Sequence, residues 1–435
     1  MLRPAIDPQP ADQPAATMHP FIRYSALMLA ITAACLPLYV VRWKDGPVST
    51  TLLEALVLVT VALYLWGRRQ EGTLRFNRTP LDVPILLLLL AGAAAVFVPP
   101  DRLHALGLYR AYFVEPIAIF YVAVDVLPRP GAVRAVLLGL GIGSSIFAVL
   151  NVVAFFVSLA SHTFSLSAPP TAIYTSSPEV SMYLEPPLAL AAGLIIFADR
   201  RRDRWLALGW MAVLVLALAL TLSRGAYLAI AALALVAIAT SRARLWIIAA
   251  VSIVVVLLVQ VPQVKERFAG QFDLGGNGTT LGGRLKIFSD TVPILRAHPI
   301  FGEGLGGYSY LFRGKTLVIY PHDIWLTFWV EVGLLGLVAF AVIFFGLIYM
   351  GLRAFPQTNG FHRAVLWGVM GSLVLWGVHG LFDSPYWKND MSVEFWILAA
   401  LELVTVRAIR RDASAAQAAV AVHKQVGPPP AHDHA

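Results

Sequence analysis

Three side chains define the chemistry open to this sequence: Arg224, Arg284 and His322. An arginine presents a planar fork of N–H donors that grips phosphate oxygens two at a time. Histidine changes charge near neutral pH and can take a proton from a hydroxyl. Two forks and an imidazole are the parts for binding an anionic lipid head group and moving a proton. Arg224 lies in Thr221-Leu222-Ser223-Arg224-Gly225-Ala226-Tyr227, a tight turn between apolar runs, where Gly225 permits close backbone approach and Tyr227 is a further candidate. Arg284 sits near the start of an amphipathic helix that runs from Gly282 to about Arg296 and is stopped by His298-Pro299. A cation there opposes the helix dipole, and an anionic partner such as a pyrophosphate corrects that. His322 follows Pro321 at the head of another apolar run, with Asp323 beside it to tune or orient the ring.

A second tier of residues is polar where its surroundings are not. Arg110 and Glu115 interrupt the apolar stretch 108–126, where ionisable groups are costly and are either functional or paired. Their spacing aligns them only approximately on one helix face, so both a substrate contact and an ion pair stay open. Glu185 precedes Pro186-Pro187, which break helical hydrogen bonding and can leave a polar pocket. Glu331 lies along the run headed by His322, just before Gly333-Leu334-Leu335-Gly336, and is placed to orient a partner. Asp383, in His379-Gly380-Leu381-Phe382-Asp383-Ser384-Pro385-Tyr386-Trp387, could bind a sugar hydroxyl or pair with an arginine. The same run also reads as a helix end with interfacial aromatics. Phe301 to Gly307 lacks the strand and the Gly-Lys-Ser/Thr of a nucleotide cradle, so its glycines are expected to let a loop pack over the helices. His104, His298 and His379 read as structural, and His432 and His434 are weak metal ligands. The single cysteine, Cys35, leaves no intrachain disulfide or thiolate metal cluster. No cofactor is implied.

The elements that must position these groups are membrane helices. The 435 residues are 58% hydrophobic and 13% charged, with mean hydropathy +0.72, whereas a soluble domain carries about 25% charge. With about 20 apolar residues per span, about twelve spans are expected. They fall near 21–41, 49–67, 81–98, 108–127, 132–158, 179–198, 204–222, 224–240, 244–262, 323–350, 363–383 and 391–409. The fold class is therefore an all-α polytopic membrane protein, since no alternating barrel strands are seen. Residues 1–20 form an unstructured N-terminus and 21–262 the first nine spans. A large polar loop occupies 263–322, the last three spans 323–411, and an unstructured tail 412–435.

Short loops on one side carry Arg68, Arg69, Arg75, Arg78, Arg129, Arg134, the arginines of 200–204, Arg242, Arg244, Arg353, Arg363, Arg407, Arg410 and Arg411. Those on the other side carry Arg42, Lys44, Arg102, Arg224 and Lys388, roughly seventeen against five. The +8 net charge is thus a topology signal and not a nucleic-acid one. Both termini are placed in the cytoplasm and the large loop, with Lys265, Arg267 and Arg313, outside. No cleavable leader is expected.

The run Leu222-Ser223-Arg224-Gly225-Ala226, the segment Gly283-Arg284 followed by Ala297-His298-Pro299-Ile300-Phe301-Gly302-Glu303-Gly304-Leu305-Gly306, and Pro321-His322-Asp323-Ile324-Trp325-Leu326 with Glu331-Val332-Gly333-Leu334-Leu335-Gly336 together resemble the O-antigen ligase/O-antigen polymerase superfamily. The resemblance is strong over about 205–350, with one departure: Asp323 stands where Asn is frequent. It implies a GT-C-type glycosyltransferase of the bacterial inner membrane, working without a metal on the periplasmic face; a monomer is expected. The donor would be an undecaprenyl-pyrophosphate-linked O-antigen glycan and the acceptor lipid A–core. Arg224 and Arg284 would hold the pyrophosphate, and His322 would be the base. A ligase is favoured over a polymerase, because polymerases often carry a second arginine-rich outer loop and 159–178 has no arginine. A transporter or flippase of lipid-linked glycan is the reading from another class; it would show interrupted helices in two matching halves, and no internal repeat is visible.

Overall fold

A computed structural model describes residues 20–45, 48–73, 77–166, 168–260, 281–311 and 320–426. Its first helix, α1 (Pro20–Ala34), leads through a short 3-10 turn into the one departure from helical secondary structure among the described residues. That departure is an antiparallel hairpin, β1 (Arg42–Asp45) with β2 (Val48–Thr51). Helices α2 (Leu52–Gln70) and α3 (Asp82–Ala95) follow. Then α4 (Arg102–Tyr109) continues through a π-helical turn into α5 (Glu115–Val126). The chain proceeds through α6 (Ala132–Ala160), α7 (Ser177–Phe197), α8 (Arg201–Leu220), α9 (Arg224–Thr240) and α10 (Arg244–Gln260). After α11 (Leu281–Ala297) and the short α12 (Gly307–Leu311) come α13 (Ile324–Ala354), α14 (Gly360–His379) and α15 (Asn389–Val426).

A helix underlies each of the expected spans. Six helical runs among the described residues are long and apolar enough to cross a membrane, namely 102–126, 132–160, 177–197, 201–220, 324–357 and 360–379, and four shorter helices are apolar. Their outward faces carry large hydrophobics such as Leu138, Phe156, Leu235 and Leu352, each more than half exposed, as a lipid-facing surface requires. The opposite extreme is α15: Met391, Val393, Phe395, Trp396 and Ile397 are all fully buried, so this part of the helix is enclosed by the rest of the protein on every side. One expectation is corrected here. Residues 412–426, expected to lack structure, continue α15 as helix, in keeping with the helix propensity of their alanine-rich sequence. Residues 1–19, 261–280 and 427–435, with Lys265, Arg267, His432 and His434, lie outside the described residues, as do Arg75 and Arg313.

Two packing solutions position the functional region. Helices α7 and α14 meet closely because Gly193 abuts the Ala364 carbonyl and Gly368 abuts the Leu190 backbone; a methyl at either glycine would lie 2.3 or 2.8 Å from those atoms. Pro187 and Pro186 in α7 have no N–H to give the preceding turn. The Met182 carbonyl freed in this way accepts the Trp376 indole at 2.8 Å, and Ser372 donates to the Pro186 carbonyl at 3.2 Å. The second solution is a break in α13. Gly333 adopts φ 80°, the region that favours glycine. The opened backbone exchanges hydrogen bonds with the glycine-rich loop: Glu303 N–H to Val330 O at 2.7 Å and Leu334 N–H to Ile300 O at 2.9 Å. Leu305 N–H reaches Ala95 O on α3 at 3.2 Å. The loop therefore packs into the helices, as its glycines suggested.

Candidate functional site

The N-terminal ends of α7, α9 and α11 meet the C-terminal end of α14. Between them lies a cavity of about 150 Å³, walled by Ser177, Ser223, Arg224, Arg284, His379 and Asp383, with Leu222, Leu228 and Phe382 on its apolar side. Sites for whole small molecules run from about 300 Å³ upward, so this cavity accommodates the charged part of a larger ligand. Arg224 reaches it because α8 and α9 are joined by a turn in which Leu222 takes φ 52°, unfavourable for a bulky side chain. Ser223 then caps α9 by accepting the Ala226 N–H. Gly225 is required at the next position: a side chain there would meet the His379 ring at 2.7 Å.

Arg284 stands in the first turn of α11, where the helix dipole favours an anion. One nitrogen, Nη2, lies 3.6 Å from Asp383 Oδ2. The other, Nη1, is buried and has no hydrogen-bond partner among the described residues. A buried guanidinium nitrogen left in that state is costly unless a ligand supplies the acceptor.

His322 is not on the cavity wall. Its Nδ1 lies 3.2 Å from Asp383 Oδ1, so one carboxylate holds the imidazole with one oxygen and Arg284 with the other. A carboxylate only accepts, hence Nδ1 is the donor and Nε2 is left as the acceptor of the neutral ring. Burial by itself would raise the Asp383 carboxyl, but the His322 hydrogen bond and the nearby positive charges outweigh it and hold the group well below the usual carboxylate range. The backbone fixes this arrangement: Ile324 N–H donates to Gly380 O at 2.8 Å, and Thr327 and Ser384 share a hydroxyl hydrogen bond at 2.7 Å. His322 itself has φ 55°, a left-handed conformation that histidine adopts more readily than most residues and that tends to cluster at functional sites.

The remaining sequence candidates divide. Asp323 does not orient the imidazole: its side chain caps α13 by accepting the Leu326 N–H at 2.8 Å, and Asp383, sixty-one residues away in sequence, takes that role. Burial raises the Asp323 carboxyl, against hydrogen bonds from two backbone amides. Glu185 lies behind the cavity and bonds His379 Nδ1 at 2.6 Å. Glu331 points into the glycine-rich loop and accepts the Gly306 N–H. Tyr227 donates to the Ala219 carbonyl at 2.5 Å, closing the α8–α9 turn. Arg110 and Glu115 form an ion pair at 3.1 Å away from the cavity walls, and Arg110 also bonds Glu54 at 2.9 Å. The π-helical turn, in which Glu115 N–H bonds Arg110 O, brings this five-residue pair together. His379 is the wall residue that sequence reasoning passed over as structural. Its signal lay in the adjacent His379-Gly380 and in Glu185, 194 residues earlier. Among the described residues no group of three or more His, Cys, Asp or Glu could hold a metal ion.

The fold and cavity define a polytopic helical membrane protein with a cation-lined pocket at one end of its helices. Residues 209–341 match the model of the O-antigen ligase family, and that match supports membership of the O-antigen ligase superfamily. Arg224, Arg284 and His322 all fall inside the matched segment, whereas Glu185, His379 and Asp383 lie outside it. No curated protein matches the chain.

Proposed function

We propose that this protein is an O-antigen ligase, a GT-C-type glycosyltransferase of the inner membrane. It moves a glycan from undecaprenyl pyrophosphate to a sugar hydroxyl of lipid A–core on the periplasmic face, with both termini cytoplasmic and the chain acting as a monomer. The observation that carries this reading is the shared cavity of Arg224 and Arg284, with Arg284 Nη1 buried and lacking a hydrogen-bond partner among the described residues. Its size suits a diphosphate and leaves the glycan and prenyl chain outside, the latter along the exposed Leu228 of α9.

In this mechanism the two arginines carry the charge that develops on the departing pyrophosphate, which takes the place of metal assistance. His322, held through Nδ1 by Asp383, takes the acceptor's proton at Nε2. Fixed donors need no reorganisation as the bond breaks, which is the main source of acceleration in such sites.

The test is transfer in lipid nanodiscs from undecaprenyl-pyrophosphate-linked glycan to lipid A–core, with excess chelator present. Glycan-bearing lipid A–core is expected. Glycan ladders formed without lipid A identify a polymerase instead, and movement of intact donor across the bilayer without transfer identifies a transporter.

A further inference from the structure

The cavity wall carries an imidazole of its own, and the reaction above leaves it without a task. His379 closes α14 and is 2% exposed, with Nδ1 bonded to the fully buried Glu185 at 2.6 Å. Its far edge, Nε2 and Cδ2, faces Gly225 so closely that a side chain there would stand 2.7 Å from either atom. His379 and Gly225 both belong to the wall that also holds Arg224 and Arg284. A clamp between α7 and α14 is already provided by Trp376 and Ser372, one and two turns deeper. Glu185 Oε2, moreover, is buried and has no hydrogen-bond partner among the described residues, an expensive arrangement if packing were its whole purpose.

We infer that His379 is the proton donor to the departing diphosphate, with Glu185 as its positioning residue; this rests on the transferase reading above. As the bond from the sugar C1 to the diphosphate oxygen breaks, its electron pair passes to that oxygen. The acceptor oxygen forms the new bond to C1, and the acceptor's proton goes to His322 Nε2. The proton on His379 Nε2 passes to the diphosphate; after product leaves, His322 gives its proton to water and the neutral His379 ring recovers one from water. Glu185 holds Nδ1–H throughout and stays ionised. The site then has an imidazole on each side of the reacting bond, one receiving a proton and one giving it. The charged groups facing His379 are Glu185 of α7, Arg224 of α9, Arg284 of α11 and Asp383 in the segment after α14. Glu394 of α15 lies within electrostatic reach of Glu185.

The experiment measures kcat, KM and the pH–rate profile of the full chain in nanodiscs for wild type, His379→Gln and Glu185→Gln. Glutamine at 379 keeps an N–H donor near the Nε2 position but has no proton to transfer. A fall in kcat of about 10²-fold or more, little change in donor KM and loss of the alkaline limb are expected. Glu185→Gln is expected to move that limb while the fold survives. Full kcat in His379→Gln, or kcat and KM falling together with an unchanged profile and a lower melting temperature, overturns the inference. Should His379→Gln not fold, an unmoved alkaline limb in Glu185→Gln overturns it. A wild type that transfers nothing overturns the transferase reading and this step with it, whereas a transferring wild type with unaffected variants overturns this step alone.

Discussion

Two arginine–carboxylate clusters sit at helix ends in this protein, and they are built to opposite specifications. In the first, Arg110 meets two carboxylates, Glu54 and Glu115, and also the Ser49 carbonyl at 3.0 Å. In the second, Arg224 and Arg284 share a cavity whose wall, among the described residues, holds one carboxylate, Asp383. Acid exceeds base in the first cluster, so the guanidinium is consumed by the protein. Among the described residues base exceeds acid in the second, and Arg284 Nη1 is left without a hydrogen-bond partner there. An ionisable residue in an apolar run is thus a weak sign of function by itself. The local charge balance and the space beside it decide which kind it is.

Substitutions can break this contrast. The largest effect is expected from Arg284→Ala, about 10²- to 10³-fold lower kcat with normal insertion, the loss typical of removing one donor that stabilises developing charge. Lysine at 284 should recover part of it, since a point charge lacks the fork. Asp383→Asn should cost about 10- to 10²-fold by releasing the imidazole and Arg284 together. Asp383 is held below its ordinary value. Its ionised form therefore contributes stability that is fully present above the unfolded-state pKa of about 3.9 and is lost only as pH falls toward the depressed folded one. Between pH 5 and 9, roughly, circular dichroism should show no titration of stability that Asp383→Asn removes.

Arg110→Ala should do the reverse of Arg284→Ala. It leaves two buried carboxylates without their cation, so the melting temperature should fall while the folded fraction keeps most of its kcat. A loss of kcat comparable to that of Arg284→Ala would erase the distinction between the clusters. The smallest effect is expected for Asp323→Asn, because asparagine caps a helix about as well as aspartate. An altered pH–rate profile in that variant would return the orienting role from Asp383 to Asp323.

Much of this was legible in the sequence. The helices followed from the length of apolar runs, and Arg224, Arg284 and His322 stood out because each sits in a polar break between such runs. What could not be read was pairing across distance. Glu185 with His379 depends on two prolines and on glycines that let α7 and α14 touch. Asp383 with His322 depends on how the ends of α13 and α14 are tied. The Arg110–Glu115 pair was visible as two residues, but the π-helical turn that aligns them has no sequence signature beyond the pair itself. The helical continuation of α15 through 412–426 was obscured by a composition that also suits an unstructured tail.

The break in α13 at Gly333 has a mechanical consequence. Residues 300–305 are tied by main-chain hydrogen bonds to both arms of the broken helix and to α3, and Glu331 fastens Gly306 from below. This part of the glycine-rich loop has no independent hinge. Lifting it means rupturing those bonds or flexing the whole of α13, and that helix begins one residue after the His322-Asp323 pair. Displacement of the glycine-rich loop and the setting of the imidazole are therefore strokes of a single lever.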